Sequence, residues 1–255
     1  MRIYACSDLH VSPTHFSDAA RAFLQEAAEK ADLTLLCGDI YEGIWYPLEE
    51  SVRSENGEAL WDLIQRLPQA VVLAGNHDWT LREYLGDSKH PVLKSYRFDM
   101  DGRSYYATHG WIEYDLSLSA LAPIYTWLFP KLPSLLRWWT RTRSPRALKL
   151  GVRSSLYWRY VLDAQRRVSQ QQGFEARSAL YWRHVREMSN QAIFQAMREG
   201  CVPVWGHSHR RHIDAYERWL AINCGDFCED DIGGVVIEDG VAGLWHVNPQ
   251  DGPIA

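Results

Sequence analysis

The chain has 255 residues, 46% of them hydrophobic, and a net charge of −5, enough for one large domain or two small ones with a sizeable core. No uninterrupted apolar run approaches the ~20 residues of a membrane span. The opening MRIYACSDLH reads as a strand that reaches Asp8 before an apolar leader would fit. The five cysteines, Cys6, Cys37, Cys201, Cys224 and Cys228, include no CxxC pair and argue for a reducing compartment, against a disulfide framework or a thiolate metal site. The expectation is a cytoplasmic protein, soluble or peripheral on the inner face of the cytoplasmic membrane.

The N-terminal part alternates strands and helices. Arg2 to Ser7 is a short strand. Phe16 to Ala31 carries Phe16, Ala19, Ala20, Phe23, Leu24, Ala27 and Ala28 near helical spacing. Leu33 to Cys37 is apolar apart from Thr34, as a strand buried on both faces is. Glu58 to Leu67 reads as a helix and Ala70 to Ala74 as a third strand. Strand, helix, strand, helix, strand implies parallel pairing in an α/β layer. Ser104 to Thr108 is a fourth strand candidate. From about Ile112 to Gly200 strand signal nearly vanishes, and Phe174 to Glu199 has an amphipathic helical pattern. Val202 to Trp205 resumes the strands. His212 to Tyr216, Trp219 to Asn223, Gly234 to Ile237 and Val241 to Val247 follow, with Asp239-Gly240 as a hairpin turn between the last two. The reading is a single domain over 1–255, with a helical insertion at 112–200.

Five strand-like segments end in ligand-type residues: Asp8 and His10 after the first, Asp39 after the second, Asn76, His77 and Asp78 after the third, His109 after the fourth, and His207 and His209 after Val202–Trp205. Each alone has an ordinary reading; Gly-Asn, for instance, is good turn chemistry. Together they mean more, because sites in open α/β sheets form outside the carboxyl ends of strands. Asp8, His10, Asp39, Asn76, His109, His207 and His209 offer two carboxylates, one amide oxygen and four imidazoles. That exceeds what one tetrahedral ion takes and suits two divalent ions sharing a carboxylate. Mixed N/O ligation points to Mn²⁺ first, with Fe or Zn²⁺ as alternatives. Such a pair clamps a phosphate and generates a nucleophile near neutral pH.

Asp8-x-His10, Gly38-Asp39, Gly75-Asn76-His77-Asp78, His109-Gly110 and Gly206-His207-Ser208-His209, in that order, resemble the motif set of calcineurin-like metallophosphoesterases. The resemblance covers roughly residues 1–111 and 200–228. It implies a four-layer αββα sandwich. It also implies that Asp8, His10, Asp39 and His209 hold one metal, that Asp39, Asn76, His109 and His207 hold the other, and that Asp39 bridges. His77 then faces the phosphate as leaving-group acid or charge stabiliser, and Asp78 orients it. Within the family, the run from Asp39 through Glu42 to Trp45 and the segment Asn223-Cys224-Gly225-Asp226 are similar to UDP-2,3-diacylglucosamine hydrolases. This chain has His77 where the best-known members of that branch have Arg.

The charge is unevenly spread. Ala120 to Gly173 holds ten Lys or Arg and one acid, a formal +9, which leaves −14 for the remainder. Trp138 and Trp139 lie among Arg137, Arg141 and Arg143 in this segment, a composition that suits a membrane interface or a cap over the substrate. A homodimer contact is an alternative. Nucleic acid is disfavoured by the acidic remainder. The function expected is metal-dependent hydrolysis of a phosphoanhydride or phosphodiester in a lipid-linked nucleotide. A soluble nucleotide or cyclic-nucleotide phosphodiesterase is the alternative of the same chemistry, and a non-catalytic scaffold the alternative of another class.

Overall fold

The computed structural model describes residues 1–43, 46–78, 80–85, 88–110, 196, 199–207, 209, 211–216, 219–227 and 232–245. Two sheets organise them. The first has strand order β11-β10-β1-β2-β3-β4, from β1 (Arg2–Cys6), β2 (Leu33–Leu36), β3 (Ala70–Leu73), β4 (Val92–Leu93), β10 (Val235–Glu238) and β11 (Val241–Leu244). The second has the order β5-β6-β7-β9-β8, from β5 (Ser95–Met100), β6 (Arg103–Thr108), β7 (Val202–Trp205), β8 (Arg211–Tyr216) and β9 (Trp219–Cys224). β1, β2 and β3 run parallel, as their alternation with helices predicts. β6, β7 and β9 are also parallel, so each sheet gathers carboxyl ends along one edge.

Alternation along the strands divides the apolar residues between two cores. Ile3, Ala5, Leu33, Leu35, Val71 and Leu73 from the first sheet meet Tyr105, Ala107, Val202, Val204 and Ile222 from the second. On the other face of the first sheet, Tyr4, Cys6, Leu36 and Val72 pack against α1 (Asp18–Lys30) and α3 (Glu55–Arg66) through Phe23, Leu24, Ala27, Leu60, Leu63 and Ile64. The α3 helix starts at Glu55, one turn before the Glu58 that its periodicity predicts, because the Ser54 hydroxyl accepts the Gly57 N–H and caps it. Two short helices, α2 (Leu48–Val52) and α4 (Arg82–Leu85), fill connections. The architecture is the α/β two-sheet sandwich expected. Of the helical insertion expected at 112–200, all but residues 196, 199 and 200 lies outside the described residues.

Ser104–Thr108 is a strand, as expected; as β6 it lies in the second sheet, paired with β5 through a hairpin at Asp101-Gly102 (φ 51° and 74°). The Asp239-Gly240 hairpin that joins β10 to β11 has the same left-handed pair of residues (51° and 76°). Among the described residues, no helix is long and apolar enough to cross a membrane.

Candidate metal centre

The residues named from the motifs follow β1, β2, β3, β6 and β7 directly. Five of them hold left-handed backbone: Asp8 (φ 54°), His10 (45°), Asp39 (53°), His207 (68°) and His209 (53°). Each such residue costs about 1–3 kcal/mol and persists only where its surroundings impose it. The surroundings here are a stitched set of loops. Asp8 N–H donates to Gly38 O and His10 N–H to Asp39 O, both at 3.0 Å. Glycine is required where the loops touch: a Cβ on Gly75 would collide with the Asp39 carboxylate, and one on Gly206 with Ser7 Oγ.

Two of the buried carboxylates, Asp8 and Asp39, are held alike. Asp39 Oδ1 accepts the His77 N–H at 2.8 Å, and Asp8 Oδ2 accepts the His207 N–H at 2.8 Å. The opposite oxygens face imidazoles. Asp39 Oδ2 lies 3.3 Å from His109 Nε2, 3.8 Å from His77 Nε2 and 4.0 Å from His10 Nε2. Asp8 Oδ1 lies 3.2 Å from His209 Nε2 and 3.8 Å from His10 Nε2. Asn76 Oδ1 and His207 Nδ1 stand 3.0 and 3.3 Å from His109 Nε2. Three Asp/His groups result: Asp8, His10 and His209; His10, Asp39 and His77; and Asp39, His109 and His207, each with ligand atoms within 4.8 Å of one another. Ligands ~2.0–2.2 Å from an ion stand about 3–3.6 Å apart, a spacing that the donors at 3.0–3.3 Å already have and that those at 3.8 and 4.0 Å reach by small side-chain shifts or at wider angles.

Charge is arranged to match. Burial alone would raise the carboxyls of Asp8 and Asp39, but the facing imidazoles outweigh it, led by His209 for Asp8 and His109 for Asp39, and hold both below the usual range. Burial likewise disfavours charge on His109 and His209, yet Asp39 lifts His109 to about 9, and Asp8 and Asp226 lift His209 to about 11. Burial and the neighbouring His109 push His207 down to about 3. Without ions the cluster holds protons on some imidazoles and leaves His207 neutral.

The supporting residues were not assigned roles from the motifs. His109 Nδ1 is 2.8 Å from Cys37 O, so Nδ1–H donates there and Nε2 faces Asp39. The partner of His77 is Glu42, not Asp78: His77 Nδ1 meets Glu42 Oε1 at 2.9 Å, and Glu42 Oε2 lies 3.4 Å from His10 Nδ1. Asp78 instead accepts the N–H groups of Gly75, Ile40 and Tyr41 at 2.7, 2.7 and 3.2 Å, which fixes the turn that carries His77. The signal for Glu42 was available, since a carboxylate among apolar neighbours three residues after Asp39 needs a partner. Trp138, Trp139, Arg137, Arg141, Arg143 and Trp45 lie outside the described residues.

The strand ends thus bring their ligand-type residues around Asp8 and Asp39. The model of the calcineurin-like phosphoesterase family matches residues 1–211. The chain belongs to that family. No curated protein matches it in sequence. Among solved structures it is similar to an archaeal phosphodiesterase, with 12% identity over 96% of this chain and 99% of that one and a TM-score of 0.47. The phosphoesterase Yfce of E. coli is 14% identical over 96% and 92% of the two chains, with a TM-score of 0.45. Vps29 of Entamoeba histolytica, complexed with Zn²⁺, is 11% identical over 97% and 98%, with a TM-score of 0.41. Calcineurin-like phosphoesterases use a dinuclear metal centre, and the Asp/His groups of this member are able to bind metal.

Proposed function

We propose that this calcineurin-like phosphoesterase is a working di-metal hydrolase that cleaves a phosphodiester or phosphoanhydride bond. The observation that carries the reading is the position of Asp39 Oδ2, a single carboxylate oxygen within 4.0 Å of three imidazoles. Asp8, His10, Asp39 and His209 would hold one ion and Asp39, Asn76, His109 and His207 the other, with Mn²⁺ favoured by the donor set. Divalent ions there supply Lewis acidity to a phosphoryl group and lower the pKa of water toward neutrality.

His77 is left for proton work. Its Nδ1–H goes to Glu42, so Nε2 faces the centre. Burial opposes charge on the ring, but Asp39 and Glu42 outweigh it and raise its pKa, which favours a proton on Nε2. That N–H donates to the leaving-group oxygen as the bond breaks or to a phosphoryl oxygen as charge builds, a role worth ~10²–10⁴-fold.

For the substrate we assign a lipid-linked nucleotide of the UDP-diacylglucosamine kind. Support comes from the sequence: the spacing from Asp39 through Glu42 to Trp45, the Asn223–Asp226 segment, and the basic aromatic stretch with Arg137, Trp138, Trp139, Arg141 and Arg143, which suits acyl chains at an anionic membrane surface. The test is hydrolysis with and without Mn²⁺ of three substrates: bis(p-nitrophenyl) phosphate, a UDP-diacylglucosamine presented in anionic vesicles, and a cyclic nucleotide. Mn²⁺-dependent turnover with the highest kcat/KM on the lipid is expected. Preference for the cyclic nucleotide would overturn the substrate assignment, and no turnover of any of the three would overturn the enzyme.

A further inference from the structure

We infer that Asp226 is a positioning residue for His209, whose imidazole it fixes so that Nε2 is presented to a divalent ion beside Asp8. The inference rests on the metal reading above and adds a dependence of one ion on a residue outside the ligand set. His209 stands on a strained loop after β7, with its side chain 26% exposed and its φ at 53°. Its ring packs beside that of His10, with centroids 5.2 Å apart, a contact that leaves both ring nitrogens to be set by polar partners. Its two nitrogens meet different carboxylates: Nε2 lies 3.2 Å from Asp8 Oδ1, and Nδ1 lies 3.1 Å from Asp226 Oδ2. Asp226 is completely buried. This Nδ1–Oδ2 contact is one of charge at 3.1 Å rather than a well-directed hydrogen bond, and in the neutral ring it favours the tautomer with its proton on Nδ1 and its lone pair on Nε2. A carboxylate behind a ligating histidine also raises its basicity.

Asp226 can do this because its own segment is anchored to both neighbouring loops. Asn223 Nδ2 donates to Gly206 O at 3.3 Å, and Asn223 Oδ1 accepts the Gly225 N–H at 3.0 Å, which ties the end of β9 to the loop that carries His207 and His209. Phe227 N–H donates to Asp8 O at 3.3 Å, which ties the same segment to the end of β1. Gly233 N–H donates to Asp226 O at 2.9 Å. The Phe227 ring packs at a tilt against Phe23 in the outer core, with centroids 5.5 Å apart. This accounts for the Asn-x-Gly-Asp segment: the Asn sets the loop, the Gly makes the turn (φ 74°) and the Asp orients the histidine. His109 meets the same need with the Cys37 carbonyl, which no substitution removes. His209 depends on a side chain, so its support can be deleted.

The experiment is Mn²⁺ titration of the chelator-stripped full-length protein, with free Mn²⁺ counted by electron paramagnetic resonance, for the parent, Asp226→Ala and Asp226→Asn. The parent should bind two ions. Asp226→Ala should weaken one of them about 10–100-fold, as loss of such support does elsewhere, and leave the other within a few-fold of the parent. Asp226→Asn, which keeps an oxygen acceptor, should lose less than Asp226→Ala and melt without metal where the parent does. If Asp226→Ala does not fold, several-fold weakening of one ion in a folded Asp226→Asn supports the inference. Parent-like affinity for both ions in the folded variants, or equal loss of both, overturns it. A parent that binds no Mn²⁺ overturns the metal reading itself, a result distinct from two normal ions in the variants.

Discussion

Replacing Glu42 by Gln removes one buried charge and little else. The side chain keeps its size, and its amide oxygen can still accept from one ring. What is lost is a charge-assisted hydrogen bond of 2.9 Å to His77 Nδ1, made by a carboxylate that is 6% exposed. Such bonds contribute about 1.5–3 kcal/mol. If the transition state draws on that amount through His77, the rate on a poor leaving group should fall about 10- to 150-fold, at 1.36 kcal/mol per decade. The pH dependence has a definite sign. Asp39 and Glu42 raise the His77 pKa against burial, so the proton is present below that pKa and is lost as pH rises through it. Taking away the Glu42 charge lowers the His77 pKa, and the alkaline limb of the rate profile should move to lower pH. The assay is kcat/KM for a series of aryl phosphodiesters of graded leaving-group pKa at saturating Mn²⁺. Saturation matters, because Glu42 Oε2 also lies 3.4 Å from His10 Nδ1 and the variant should bind metal somewhat more weakly. The loss should shrink as the leaving group improves. An equal loss across the series, or an unmoved alkaline limb, would refute proton donation by His77 and leave Glu42 a structural carboxylate.

Metal binding should expel protons: His109 and His209, lifted to about 9 and about 11 in the metal-free cluster, are charged at neutral pH and must be neutral to ligate. Mn²⁺ affinity should therefore rise with pH between 6 and 8, about tenfold per unit for each proton released, and calorimetry in buffers of different ionisation enthalpy should register that release; a heat independent of buffer would contradict it. Gly75→Ala drives a methyl group into the Asp39 carboxylate and backbone, so it should cost about 1–3 kcal/mol of stability and shift Asp39. Thermal melting and metal content check this, and a variant with parent melting and full metal would show that the loops yield more freely than their contacts imply.

The convergence of Asp8, His10, Asp39, Asn76, His109, His207 and His209 could be read in advance because a strand fixes where its carboxyl end points. Ligand-type residues at five strand ends need only parallel pairing to meet. Strand membership was harder. SYYAT has the pattern of a buried strand, but the pattern does not say which of the two sheets of the sandwich receives it. The signal for β5 was present, since SYRFDM alternates polar residues with Tyr96, Phe98 and Met100, the period of a half-buried strand. The early start of α3 was hidden by Gly57, which looks like a break. It is there because a Cβ would collide with Ser51 O in the preceding helix. The support of the site was least visible. Glu42 meets His77 across 35 positions and Asp226 meets His209 across 17, on loops whose spacing depends on the whole sandwich. Residues with a motif neighbour could be found from order alone, whereas residues defined by a distance between two strands could not.

The shared carboxylate can be tested by metal content. Elemental analysis of the parent and of Asp39→Ala, each loaded with Mn²⁺ and freed of excess, should give two ions per chain for the parent and far fewer for the variant, with hydrolysis of bis(p-nitrophenyl) phosphate lost in parallel. Asp39→Ala that keeps the parent's full metal content would contradict the bridging role, and with it the two-ion centre proposed for this chain.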